Sequence, residues 1–280
     1  MEDTSVATEL ILQEVKTIRR LHPAIGGRKL MVLLQPFVLE HQIKIGRDAL
    51  FDLLATHQLL VRKRKRNIVT TWSKHWMRKY PNLIRDVIPS RPNEVWVSDI
   101  TYFKIAESHV YISFVTDAYS RKIVGYHVAD TLEAIHSVKA LQMAIRQSTT
   151  NFIGLIHHSD RGCQYCCAEY VNLLKHNGIA ISMTEHGDPL ENAIAERVNG
   201  IIKEEYLNHY HIKTKKEIEQ KLQQAVHQYN HNRPHLSCNM LTPEDVHQNN
   251  LPIQRLWKNY YKQKPILVNV KQDYIETVNQ

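Results

Sequence analysis

Three strand-forming segments in succession, followed by strands and helices in alternation, constrain this chain more than any other feature. Residues 94–103 are rich in β-branched and aromatic side chains, 109–116 alternate through Val110, Ile112 and Phe114, and 122–128 form a third run. Short connections join the three, which predicts an antiparallel meander. A helical stripe follows at Ala134, Val138, Leu141 and Ile145, with Asp130-x-x-Glu133 expected as its capping box. Residues 152–158 read as a fourth strand, about 165–177 as a helix stopped by Gly178, and 179–183 as a fifth strand. Because the last two strands enter through helical crossovers, the order βββαβαβα predicts an α/β domain: a mixed five-stranded sheet flanked by helices.

The chain ahead of this domain has a different character. Leu10, Ile11, Val15, Ile18 and Leu21 recur at close to a helical period, Gly26-Gly27 interrupts it, and two more helices are expected at 28 to about 40 and 47 to about 60. Short helices joined by tight turns predict an all-α, helix-turn-helix-like region over 9–66. Its charge supports a polyanionic partner: residues 1–95 carry 17 Lys and Arg against 9 Asp and Glu, and residues 96–280 balance at 19 against 19. The whole net charge of +8 thus sits in the first third of the chain. A concentrated positive field of this kind attracts polyanions, of which DNA or RNA is the commonest partner of a soluble protein. Arg62, Lys63, Arg64, Lys65 and Arg66 are five consecutive cations, either a solvated linker or a segment laid along phosphates. Residues 67–94, with Pro81, Pro89 and Pro92, read as a linker.

Several classes are disfavoured. No stretch approaches the roughly 18 apolar residues of a membrane span, and the acidic N-terminus is unlike a signal peptide, so a cytoplasmic, nucleoid-associated protein with no membrane partner is expected. Cys163, Cys166, Cys167 and Cys238 make no disulfide framework, and a single C-x-x-C beside His157 and His158 lacks the second pair of a zinc module.

Three acids carry the chemistry. Asp99 lies within an apolar strand, where an unpaired charge costs several kcal/mol. Asp160 follows the fourth strand, and Glu196 lies on a helix with 35 residues between the two. That helix is expected to start at a turn through Gly187, with Asp188 as cap, Pro189 in the first turn and Glu191 completing a capping box. Asn192, Glu196, Asn199 and Lys203 fall on one polar face, with Glu196 and Lys203 about 10 Å apart. A carboxylate and an amine on a solvent face are ordinary taken alone. If the first and fourth strands lie side by side and the helix packs across them, the three acids can hold Mg²⁺ or Mn²⁺, two ions, for phosphodiester chemistry. Lys203 is then a candidate phosphate contact. Further on, Thr214-x-x-Glu217 predicts another capping box, opening a helix with Ile218, Leu222, Ala225 and Tyr229 on one face. Arg233 and His235, beyond its end, are expected either to reach DNA or to brace the catalytic helix.

These motifs resemble a known family. Trp96-Val-Ser-Asp99-Ile-Thr-Tyr102, His158-Ser-Asp160-Arg-Gly162-Cys-Gln164-Tyr165, Ser182-Met183, and Glu191-Asn192-Ala193 followed by Glu196 and Lys203-x-Glu205 look like insertion-sequence transposases of the IS-three group, OrfB type. Tyr229-Asn230-x-x-Arg233-Pro234-His235 and Thr242-Pro243 are similar to the family's closing segment. The resemblance covers roughly 20–248 and implies an RNase H-like, retroviral-integrase-like core of the DDE type. It also implies Mg²⁺ dependence and DNA cleavage and strand transfer at element ends by a homo-multimer on DNA. Asp99, Asp160 and Glu196 would be the catalytic and metal-binding residues, with Asn192, Asn199, Lys203, Arg233 and the 62–66 cations at DNA.

The expected division is 9–66 DNA-binding region, 67–94 linker, 95–210 catalytic core, 211–248 closing helix and segment, and 249–280 tail. Glu191 stands where the family often has Asp, and the three clustered cysteines stand where small or hydroxyl residues are common, which favours packing roles. The family's OrfA leucine-zipper helix-turn-helix has no counterpart here, implying an upstream OrfA-type partner or fusion. A catalytically silent DNA-binding derivative of a transposase is the alternative.

Overall fold

The computed structural model describes residues 2–61, 76–85, 87–106, 108–148, 151–185 and 192–253. They form two compact units: residues 2–61 with 200–253, and residues 76–199.

The first unit begins with α1 (Glu2–Leu21), α2 (Gly27–Glu40) and α3 (Arg47–Thr56). Their apolar stripes meet in a core of Ile11, Val15, Ile25, Leu30, Leu34, Leu50 and Leu54. Leu21, at the end of the expected stripe, is exposed instead. The second and third helices stop in the same way. Gln42 and Gln58 adopt left-handed backbone conformations (φ 52° and 54°), so the amides of Ile43 and Leu59 fold back onto the carbonyls of Val38 and Leu54. Ile43 and Leu59 then pack on the helical core, which is the apolar contact that accompanies such a C-cap. The third helix consequently ends at Thr56, short of the expected Leu60.

In the second unit, β1 (Val95–Ile105), β2 (Ser108–Asp117) and β3 (Ile123–Ala129) form the antiparallel meander. The helix α4 (Ala134–Gln147) leads to β4 (Ile156–Ser159), then α5 (Cys163–Cys166), α6 (Ala168–His176) and β5 (Ala180–Met183). The sheet order is β3-β2-β1-β4-β5, with β4 parallel to both β1 and β5. This is the expected mixed five-stranded sheet flanked by helices.

Side chains alternate across β1 as the strand period requires. Trp96 joins Leu141 of α4 and Leu174 of α6 in the core on one face. Val95 and Val97 join Ile156 and Ala195 on the other. The α4 helix lies so close to β3 that a Cβ on Gly125 would meet the Ala140 carbonyl oxygen at 2.2 Å. Only glycine fits that crossing.

Two local expectations are corrected here. Asp130 does not open a capping box: Glu133 is itself the N-cap residue of α4, makes no side-chain cap bond, and accepts from the Thr131 hydroxyl at 3.1 Å. The expected single helix over 165–177 is two pieces, because Cys167 leaves helical geometry (ψ 153°) and its sulfur caps α6 by accepting from the Tyr170 amide.

The chain then enters α7 (Ala193–Ile201), inside which the boundary between the units falls, at Gly200. A π-helical turn at Ile202–Tyr206 follows, and α8 (Lys215–His231) and α9 (Pro243–Asn249) complete the first unit. The expected Thr214–Glu217 capping box opens α8, with both reciprocal bonds formed. Ile218, Leu222, Ala225 and Tyr229 are buried on it as the stripe predicts.

Candidate active site

The site is built on the β1–β4 pair. Ser98 stands opposite Ser159 in the parallel register, so the next residue of each chain segment, Asp99 and Asp160, emerges at neighbouring strand positions. Alternation puts Asp99 on the side of Val95 and Val97, where α7 packs through Ile194 and Ala195. Asn199 of that helix donates from Nδ2 to Asp99 Oδ2 at 2.8 Å. Two turns earlier, Asn192 donates to the Ser98 carbonyl at 3.1 Å. The two asparagines expected on a DNA-facing surface are therefore buried, holding α7 to β1.

Asp160 is fixed from its own loop. Its Oδ1 accepts from the Gly162 amide at 2.9 Å, and a Cβ on Gly162 would stand 3.0 Å from that same oxygen. Glu196 is exposed in the first turn of α7, where a negative charge complements the helix dipole.

The electrostatics tie the three together. The half-buried Asp99 carboxyl is pushed up to about 8, first by burial and then by the charge of Asp160, with Glu196 adding to it. The Ile100 amide and Asn199 pull the other way by stabilising the ionised form. Like charges crowded at one strand end raise proton affinity in this manner, and a cation would relieve them. Hard carboxylate oxygens suit Mg²⁺ or Mn²⁺. Among the described residues, however, no three His, Cys, Asp or Glu side chains are drawn close enough to form a metal-binding group.

Beneath the acids, on the opposite face of the sheet, His157 Nε2 lies 2.7 Å from Ser98 Oγ and 2.8 Å from the Tyr170 hydroxyl. Burial, then His158, push its imidazole down to about 3, so it is neutral. This network had no signature in the spacing of the motifs. It also takes His157 out of any zinc site beside the cysteines, which form no disulfide. Cys166 is buried against Met183, in the packing role expected of it.

The remaining expected residues lie elsewhere. Lys203 is half-buried in the π-helical turn and belongs to the first unit. Arg62, Lys63, Arg64, Lys65 and Arg66, and the Gly187–Glu191 start of the Glu196 helix, fall outside the described residues. Arg233, expected at DNA or as a brace, is a brace. It is fully buried and grips Glu205 with Nε and Nη2, each bond 2.8 Å. A guanidinium so enclosed is not available to a phosphate.

Two family descriptions match the chain, both "Integrase core domain", over residues 89–189 and 177–243. Among curated relatives, the Insertion element IS600 uncharacterized 31 kDa protein of Shigella sonnei is 32% identical, over 88% of this chain and 91% of its own. The transposase for insertion sequence element IS629, also from Shigella sonnei, is 30% identical over 76% of this chain and 70% of its own. Among solved structures, a cryo-EM structure of the simian T-cell lymphotropic virus intasome in complex with PP2A regulatory subunit B56 gamma aligns with a TM-score of 0.49 and 18% identity, over 89% of this chain and 80% of that one.

Fold and matched families define the class as an integrase-type catalytic core. The chain belongs to the insertion-sequence transposases. It is a DNA transposase, and a silent DNA-binding derivative is not favoured. No helix among the described residues is long and apolar enough to cross a membrane.

Proposed function

We propose that this transposase cleaves and joins insertion-element ends with Asp99, Asp160 and Glu196 as its catalytic, metal-holding carboxylates. The single observation that carries this reading is the mutual crowding of the acids: the Asp99 carboxyl is raised to about 8 by burial, Asp160 and Glu196 at the end of two parallel strands. Like charges crowded at one strand end raise one another's proton affinity, and a cation relieves that crowding. When bound, a pair of Mg²⁺ or Mn²⁺ ions would activate the attacking water or 3′-hydroxyl and neutralise the leaving oxygen of an in-line displacement.

The chain's own residues prepare that chemistry. Asn199 holds Asp99 by its Oδ2, and the Gly162 amide holds Asp160 by its Oδ1. Glu196, on the first turn of α7, completes the set from a rigid element. Lys203 contacts a DNA phosphate, and the cations at 62–66 lie along the duplex.

In this reading residues 9–66 bind DNA, 67–94 link, 95–210 carry catalysis, 211–248 are the closing helix and segment of the integrase region and 249–280 form a tail. The working form is a homo-multimer on DNA, because two element ends must be brought together, and an OrfA-type partner or fusion selects those ends in the cytoplasm.

The test is a strand-transfer assay of the full chain, with and without the upstream product, on duplexes carrying the terminal repeats with Mg²⁺ or Mn²⁺. Nicked and joined products are expected from the wild type. Unimpaired joining by Asp160→Asn or Glu196→Gln would refute the site assignment.

A further inference from the structure

Tyr165 carries a polar group that neither the packing nor the proposed reaction has used. It sits in α5, five residues after Asp160, and its ring is buried at 2% exposure in the core beneath the sheet. It packs edge-on to Tyr170 (5.3 Å, 80°) and tilted against His157 (6.5 Å, 44°). Its hydroxyl is buried and has no hydrogen-bond partner among the described residues. Leaving a buried hydroxyl in that condition costs about 1–3 kcal/mol. Its neighbour in the same core is treated differently: the Tyr170 hydroxyl reaches His157 at 2.8 Å. Phenylalanine would fill the volume of Tyr165 without the penalty, so the hydroxyl is not there for packing.

Its location suggests what it serves. The Tyr165 amide donates to the Gly162 carbonyl at 3.0 Å, and the Gly162 amide donates to Asp160. A Cβ on Gly162 would stand 3.0 Å from Asp160 Oδ1 and 3.7 Å from Tyr165 Cδ2, so carboxylate and ring flank one bare glycine. Burial and then the charges of Asp99 and Asp160 push the phenol well above its ordinary range. The group thus stays protonated, a donor in the field of two carboxylates.

We propose that Tyr165 is a positioning residue for the metal-holding acids, its hydroxyl donating to the Asp160 carboxylate when that group is drawn onto a divalent cation. The inference rests on the reading of Asp160 as a metal ligand. Donors behind ligating carboxylates fix their orientation, and their loss typically weakens metal binding about 10–100-fold.

The experiment measures Mn²⁺ affinity by calorimetry on the full chain without DNA, alongside the melting temperature of the metal-free protein, for four proteins: wild type, Tyr165→Phe, Tyr170→Phe and Asp160→Asn. Tyr165→Phe is expected to bind Mn²⁺ at least about tenfold more weakly while melting no lower than wild type, since it sheds an unpartnered hydroxyl. Tyr170→Phe is expected to melt lower and bind Mn²⁺ normally. Wild-type Mn²⁺ affinity in Tyr165→Phe, with binding lost in Asp160→Asn, would overturn the role of Tyr165 alone. Equal weakening in both tyrosine variants would also overturn it. Undiminished binding by Asp160→Asn, or none by the wild type, would overturn the underlying site as well.

Discussion

Among the described residues, Glu205 in the first unit and Asp99 in the second are carboxylates held in opposite ways. In the first unit, Glu205 is matched by charge: Arg233 grips it with two 2.8 Å bonds, Lys29 approaches to 3.7 Å, and the adjacent Tyr206 hydroxyl bonds to a His22 whose pKa burial pushes down to about 4. In the second unit, Asp99 has an asparagine for its partner and two more acids for its neighbours, and its carboxyl is raised rather than lowered. A balanced cluster of this sort ties chain segments together; here it joins the N-terminal helices, the π-helical turn and the end of α8. A group whose members raise one another's proton affinity is one that a cation would relieve. The difference is what sets the proposed site apart from a structural clamp.

The sharpest way to break the contrast is to remove charge from each side. Asp99→Asn should reduce strand transfer by about 10³-fold or more, as loss of a central electrostatic group does, while DNA binding measured by gel shift is retained. Parallel loss of DNA binding would mean that Asp99 serves the fold. Arg233→Met should instead destabilise the protein by about 3 kcal/mol, because it strands a largely buried Glu205. Denaturant unfolding reads this directly, and an unchanged midpoint would show that the pair contributes nothing. The smallest effect belongs to Lys203→Ala, which should lower the slope of log affinity for DNA against log salt by about 0.9. An identical slope would remove Lys203 from the phosphate contacts.

Much of the catalytic unit was readable because its elements obey local rules. The runs of β-branched and aromatic residues predicted the strands, and the side-by-side placement of β1 and β4 that the three acids needed is the one the sheet adopts. The Thr214 box was readable because its two partners are three residues apart. What failed involved competition or distance. The Asp130 box was lost because Glu133 occupies the cap position itself, and the 165–177 helix broke where a cysteine sulfur acts as a cap, a role its residue type does not advertise. Nothing in the motif spacing distinguishes the π-helical turn at Ile202 from continued α-helix, so the even polar face ending at Lys203 was drawn too regularly. The Arg233–Glu205 pair spans 28 residues, and the buried use of Asn192 and Asn199 depends on which strand α7 meets. Only the assembled fold reveals such contacts.

Linkage provides the most direct test of the central claim, that Asp99, Asp160 and Glu196 form a crowded site built for a cation. Asp99 has a folded value of about 8 against an unfolded value of about 3.9. The folded state therefore binds the extra proton between these limits. The stability this confers is complete below about pH 4 and is lost as pH rises through about 8. The measurement is unfolding free energy against pH across this window, in wild type and Asp99→Asn, with chelator and with Mg²⁺. The account predicts a fall in wild-type stability with rising pH in chelator, a shallower fall in Asp99→Asn, and recovery of the wild type alone when Mg²⁺ is added at the alkaline end. Superimposable curves for the two proteins, unmoved by Mg²⁺, would contradict it.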